Sequence, residues 1–89
     1  MNWRVDISQN AAKFLASNEL TIDEVKNLAS KAIRYLQGEN VNIDMKKLKG
    51  EWRGFYRIRS GKVRIIAEFH FEDSVVFIEA IDWRGGVYK

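Results

Sequence analysis

The side chains best suited to chemistry in this chain are Arg57, Arg59, Lys62 and Arg64. They fall in Tyr56-Arg57-Ile58-Arg59-Ser60-Gly61-Lys62-Val63-Arg64-Ile65-Ile66, which reads as two short strands joined by a Ser-Gly turn. With Ser60 and Gly61 as the turn residues, Arg59 lies opposite Lys62 and Arg57 opposite Arg64, so all four project from one face. Tyr56 and Ile58 take the other face, opposite Ile65 and Val63. Like charges directly across a ladder repel, by roughly a few tenths of a kcal/mol per exposed pair. A polyanion relieves that repulsion, and four cations on a rigid face make a phosphate site. The same pattern also suits a solvated sheet face whose cations pair with nearby carboxylates, and the hairpin by itself does not separate the two readings.

The elements that must position these residues follow from periodicity and capping. Trp3, Val5 and Ile7 alternate with Asn2, Arg4 and Asp6, which predicts a short first strand. Ser8 is placed to cap a helix running to about Ser17 and ended by Asn18. Thr21-Ile22-Asp23-Glu24 is a capping box, and Ile22, Val25, Leu28, Ala29, Ala32, Ile33 and Leu36 then keep helical spacing up to the stop at Gly38. Residues 39–50 read as a connector, tacked onto the core by Val41, Ile43 and Leu48. Strands are predicted at about 52–59, 62–71 and 75–83, with a turn at 72–74. The fold class is therefore α+β in the order β-α-α-β-β-β, with two N-terminal helices packed on one face of a small twisted antiparallel sheet. Two adjacent helices cover one face only, and the face left open is the one with Arg57, Arg59, Lys62 and Arg64. A three-residue turn at 72–74 sets Asp82 across from Arg64 and Arg84 across from Lys62, which adds Arg84 to the cluster. That register leaves Glu79 on the covered face, which is its weakness.

The whole chain bounds these readings. Its 89 residues allow one domain, 1–89, with one core. The composition, 46% hydrophobic and 30% charged, is that of a folded, soluble protein. There is no cysteine, and a single histidine, His70, argues against a His-based metal site. The N-terminus lacks the apolar run of a signal peptide, and no window approaches a membrane span. These features fit a cytoplasmic protein with no membrane partner and no cofactor. The net charge of +3 is modest, but Lys46, Lys47, Lys49, Arg53, Arg57, Arg59, Lys62 and Arg64 are concentrated between residues 46 and 64, where only Glu51 is acidic. Clustered cations of this kind suggest an anionic partner. The partner this suggests is RNA, DNA or an acidic protein segment, and Lys46, Lys47, Lys49, Arg53 and Lys62 form the basic rim that would contact the phosphates of a nucleic acid non-specifically.

Over nearly its full length the chain resembles the RelE/ParE superfamily of bacterial toxins, and more closely its RelE-like branch. The resemblance is carried by the opening strand ending in Ile7-Ser8, the helix with Ala12-Lys13-Phe14-Leu15 and the connector Leu48-Lys49-Gly50. It is most specific in Tyr56 to Ile66, followed by Arg84 and the terminal Val87-Tyr88. It implies the toxin of a type II toxin–antitoxin system, an endoribonuclease that enters the ribosomal A site and cuts the mRNA codon. The reaction is attack of the ribose 2′-OH on the adjacent phosphate, without metal. It also implies a cognate antitoxin that wraps the toxin and whose complex binds operator DNA. Position by position, Arg57 and Arg59 match basic residues that hold phosphate and help deprotonate the 2′-OH. Arg64 matches an arginine that clamps the phosphate, Arg84 one at the leaving oxygen, and Tyr88 a tyrosine that stacks on or orients the nucleotide. Two departures stand out. Arg59 sits where a general base is expected, yet arginine does not deprotonate in proteins; Glu68 and His70 are the candidates to replace it, at about 13 and 20 Å along the strand from Arg64. Trp83 stands where relatives often carry histidine. The alternatives are a non-enzymatic, ParE-like inhibitor of DNA gyrase and a degenerate member without toxicity.

Overall fold

The fold is given by a computed structural model, in which residues 3–83 are described. Arg84 and Tyr88, and with them the pairing of Arg84 with Lys62, lie outside the described residues. The elements are β1 (Arg4–Ile7), α1 (Gln9–Ser17), α2 (Ile22–Leu36), β2 (Asp44–Lys47), β3 (Phe55–Ser60), β4 (Val63–His70) and β5 (Val75–Trp83), with a 3-10 turn at Gly50–Trp52.

Both helices begin where local hydrogen bonding dictates. The Ser8 hydroxyl accepts from the Ala11 N–H, and Thr21 and Glu24 close a reciprocal capping box. Gly38 follows α2 with φ of +94°, a conformation that costs glycine little. Their apolar sides meet the sheet in one core. Ala11 and Leu15 of α1 and Val25, Ala29 and Ala32 of α2 lie against Ile58, Ile65, Ala67, Val76, Ile78 and Ile81.

The sheet has five strands in the order β1-β5-β4-β3-β2. It differs from the expectation in three ways. First, it is mixed, because β1 joins the far side of β5 in parallel, Val5 beside Val76. The long connection that a parallel pair requires runs through both helices and then β2, β3 and β4. Second, the connector contains an edge strand, β2, paired antiparallel to β3. Third, β3 starts at Phe55 rather than 52, since Gly50–Trp52 form a 3-10 turn and Gly54 has φ of +97°.

Both hairpins reach their registers by routes the pattern did not show. The β3–β4 turn is Gly61-Lys62, so Ser60 pairs Val63 and Arg59 pairs Arg64, not Lys62. Gly61 takes φ of +57° at the first turn position, where a primed turn needs a positive value; a Ser60-Gly61 turn would have placed that demand on serine. The shift is by two residues on the partner strand, so every side chain keeps its predicted face. Lys62 alone leaves the face, for the exposed turn. In the β4–β5 hairpin Asp82 does lie across from Arg64, as expected. The turn is longer than predicted: His70 pairs Val75 around residues 71–74, and a bulge at Glu79 restores the register. Removing Glu79 from the ladder lets Val76, Ile78 and Ile81 all face the core.

Candidate functional site

Four side chains cross the open face in a single row. Asp44 on β2 pairs with Arg59 on β3, Arg59 with Arg64 on β4, and Arg64 with Asp82 on β5. The signs run minus, plus, plus, minus. Two guanidinium groups on neighbouring strands would repel, and the flanking carboxylates remove that cost. Arg64 Nε and Nη2 donate to the two oxygens of Asp82, each at 2.9 Å. This bidentate geometry is the strongest form of the pair. Arg59 Nε donates to Asp44 at 3.0 Å, and Arg57 Nη2 approaches the other Asp44 oxygen at 3.5 Å. Arg57 belongs to the next row, where it faces Lys46 on β2 and Ile66 on β4. Its Nε is buried and has no hydrogen-bond partner among the described residues. The row is neutral, two cations against two carboxylates, and Arg57 with Lys46 adds positive charge beside it.

The three arginines are not equally accessible. Their side chains are 37% exposed at Arg59, 22% at Arg57 and 8% at Arg64. An incoming anion therefore meets Arg59 first. It meets Arg64 as a group already oriented by Asp82.

Of the predicted phosphate-gripping set, the structure gathers Arg57, Arg59 and Arg64 and separates Lys62, which sits in the exposed hairpin turn. Of the predicted rim, Lys46 joins the arginine face, while Lys47, Lys49 and Arg53 lie elsewhere, around the β2–β3 connection. The two candidate bases are occupied by each other: His70 Nε2 is 3.1 Å from Glu68 Oε1. Trp83 packs edge-on against Phe14 of α1 while staying partly exposed, with ring centres 5.2 Å apart. Among the described residues, no group of three or more His, Asp or Glu side chains is placed to hold a metal ion.

Asp44 is the site residue that sequence reasoning missed. Its signal was present, since Val41, Ile43 and Met45 alternate with Asn42, Asp44 and Lys46. That alternation places Asp44 on the open face beside β3.

No family model and no curated protein matches the chain, but solved structures do. It superposes on the crystal structure of an archaeal RelE–RelB complex from Pyrococcus horikoshii at TM-score 0.60 and 29% identity, covering 98% of this chain and all of that one. The toxin–antitoxin complex RelBE2 from Mycobacterium tuberculosis matches at TM-score 0.60 and 23% identity, over 94% of this chain and all of that one. YafQ from E. coli matches at TM-score 0.64 and 12% identity, over 99% of this chain and all of that one. The chain has the RelE-like toxin fold.

Proposed function

We propose that this chain is the toxin of a type II toxin–antitoxin pair and that it cuts mRNA in the ribosomal A site. The observation that carries the reading is the convergence of Arg57, Arg59 and Arg64 from two adjacent strands onto the uncovered face of a RelE-like fold. In the reaction the ribose 2′-OH gives its proton to solvent as its oxygen attacks the adjacent phosphorus, the P–O5′ bond breaks and the 5′-oxygen takes a proton from solvent. The products are a 5′-OH and a cyclic phosphate, or the 3′ phosphate formed when water opens it. Negative charge builds on the non-bridging oxygens. Preorganised guanidiniums address it and are worth several kcal/mol.

Arg59 and Arg57 receive the phosphate and Arg64, held by Asp82, meets the developing charge. Arg84 acts at the leaving oxygen and Tyr88 on the nucleotide, roles that rest on the family resemblance. Stacking on Tyr88 contributes about 1–3 kcal/mol. The entering phosphate displaces Asp44 from Arg57 and Arg59, so binding exchanges one anion for another. Because arginine is no base, and Glu68 and His70 engage one another, catalysis rests on charge stabilisation and on in-line positioning by the ribosome. That the archaeal RelE is bound to RelB, and that RelBE2 is a toxin–antitoxin complex, supports a protein antitoxin for this chain as well, and its complex would bind operator DNA in the cytoplasm.

The test is expression with and without the neighbouring antitoxin, followed by mapping of RNA ends. Cleavage inside translated codons is expected, and is lost with Arg59→Ala and with Arg64→Ala. Arg59→Ala is the cleaner variant because Arg64 is buried against Asp82. Arrested cells with intact mRNA and broken DNA would instead favour the gyrase-type reading, which the charge-neutral row also suits. Absence of arrest would mark a member without toxicity.

A further inference from the structure

Besides Lys46, a second group of cations that no carboxylate neutralises lies away from the arginine row. Lys47, Lys49 and Arg53 line a groove of about 540 Å³ at the end of β3 and β4 remote from the Gly61-Lys62 turn. Its other walls are Tyr56, Phe69 and Phe71. Each of the three cations is exposed, and none has an ion-pair partner among the described residues. Among the described residues no carboxylate lines the groove; Glu51, in the adjoining 3-10 turn, is not part of its wall. The arginine face shows the reverse, with each guanidinium held by Asp44 or Asp82.

The aromatic side chains fit the same ligand. Phe71 is 45% exposed, and its ring is braced edge-on by Trp3 at 5.0 Å. Tyr56 is braced edge-on by Phe69 at 5.8 Å. An edge-to-face contact covers at most one face of either ring, so each keeps a face clear of its neighbour for a planar partner. Cations spaced around such faces are the arrangement that grips an unstacked nucleic acid strand, with bases on the rings and phosphates on the ammonium and guanidinium groups. The volume lies within the range of about 300–1,000 Å³ usual for small-ligand sites.

We propose that this groove is a binding site for single-stranded nucleic acid, separate from the arginine row. An acidic peptide would satisfy the cations but would leave the aromatic faces without a planar partner. The site does not depend on the nuclease reading and needs no ribosome.

The experiment is fluorescence anisotropy of a short labelled oligouridylate, as RNA and as its deoxy counterpart, with the full chain at low salt. Binding of either strand is expected. Phe71→Ala should weaken it by at least about fivefold, the loss of one stacked base. Lys49→Gln with Arg53→Gln changes only exposed groups and should flatten the salt dependence by about 0.7 per removed cation. Arg59→Gln, on the other face, should leave the Phe71 effect intact. Parent-like affinity and salt slope in both groove variants would overturn the proposal. So would equal affinity for duplex, or displacement of a bound oligoglutamate peptide by neither strand. Absence of mRNA cleavage by the unmodified chain, with this binding retained, would count against the nuclease reading alone.

Discussion

Arg64 is at once the most buried cation of the row and the best paired, and this sets what mutating it measures. Arg64→Ala removes two charge-assisted hydrogen bonds and should lower unfolding free energy by about 1.5–3 kcal/mol in urea titration. Asp82→Ala on that background should recover part of the loss, because the cost lies mainly in the carboxylate left behind. A full loss retained in the double variant would show that Arg64 packing, not its pairing, is responsible. Asp44 poses the opposite case. Its partners are exposed enough that Asp44→Asn should change stability by less than about 1 kcal/mol, yet it frees Arg57 and Arg59 for an incoming phosphate. Tighter, more salt-sensitive RNA binding is expected, and unchanged binding would show that Asp44 does not compete for that site.

At the scale of elements, the Glu79 bulge and the start of α1 are one device. The Ser8 hydroxyl accepts from Ala11 N–H and donates to the Glu79 carbonyl at 2.6 Å, while Ser8 N–H donates to Ile78 at 2.9 Å. Ser8→Ala loses both side-chain bonds and should cost about 2 kcal/mol, a cap plus a neutral hydrogen bond. The double role makes Ser8→Ala more damaging than Thr21→Ala, whose hydroxyl bonds stay within its own capping box; equal losses in thermal melts would argue against the link to the bulge. The helix boundaries were legible because capping is local: Ser8, Thr21 and Gly38 each act within a few residues of themselves. The edge strand β2 was harder to see, since four residues of pattern mean little until β3 lies beside them.

For the whole molecule, one cluster of buried side chains joins both helices to β3, β4 and β5. The described structure therefore should unfold as a unit. Tryptophan fluorescence and far-ultraviolet circular dichroism should give one urea transition, with a slope of about 1 kcal/mol/M. Separate midpoints would show that the helices detach before the sheet opens. Charge is also organised at this scale. The net charge of +3 is spread so that the open sheet face is nearly balanced, while the groove beside the β2–β3 connection keeps its cations unpaired. No helix among the described residues is long and apolar enough to cross a membrane.

The amino-acid sequence alone determined the order of the two helices and of β1, β3, β4 and β5, the helix caps, which side of each of those strands faces the core, and hence that Arg57, Arg59 and Arg64 share one face. Those follow from periodicity and from hydrogen bonds that close within a turn. Tertiary structure decided what stands opposite what. Arg59 meets Arg64 because glycine, not serine, takes the positive φ; Asp82 reaches Arg64 through a bulge held by Ser8; Asp44 arrives from a strand that exists only as β3's partner. Pairings of this kind join residues far apart in the chain, and their energy is not written in either partner's neighbourhood.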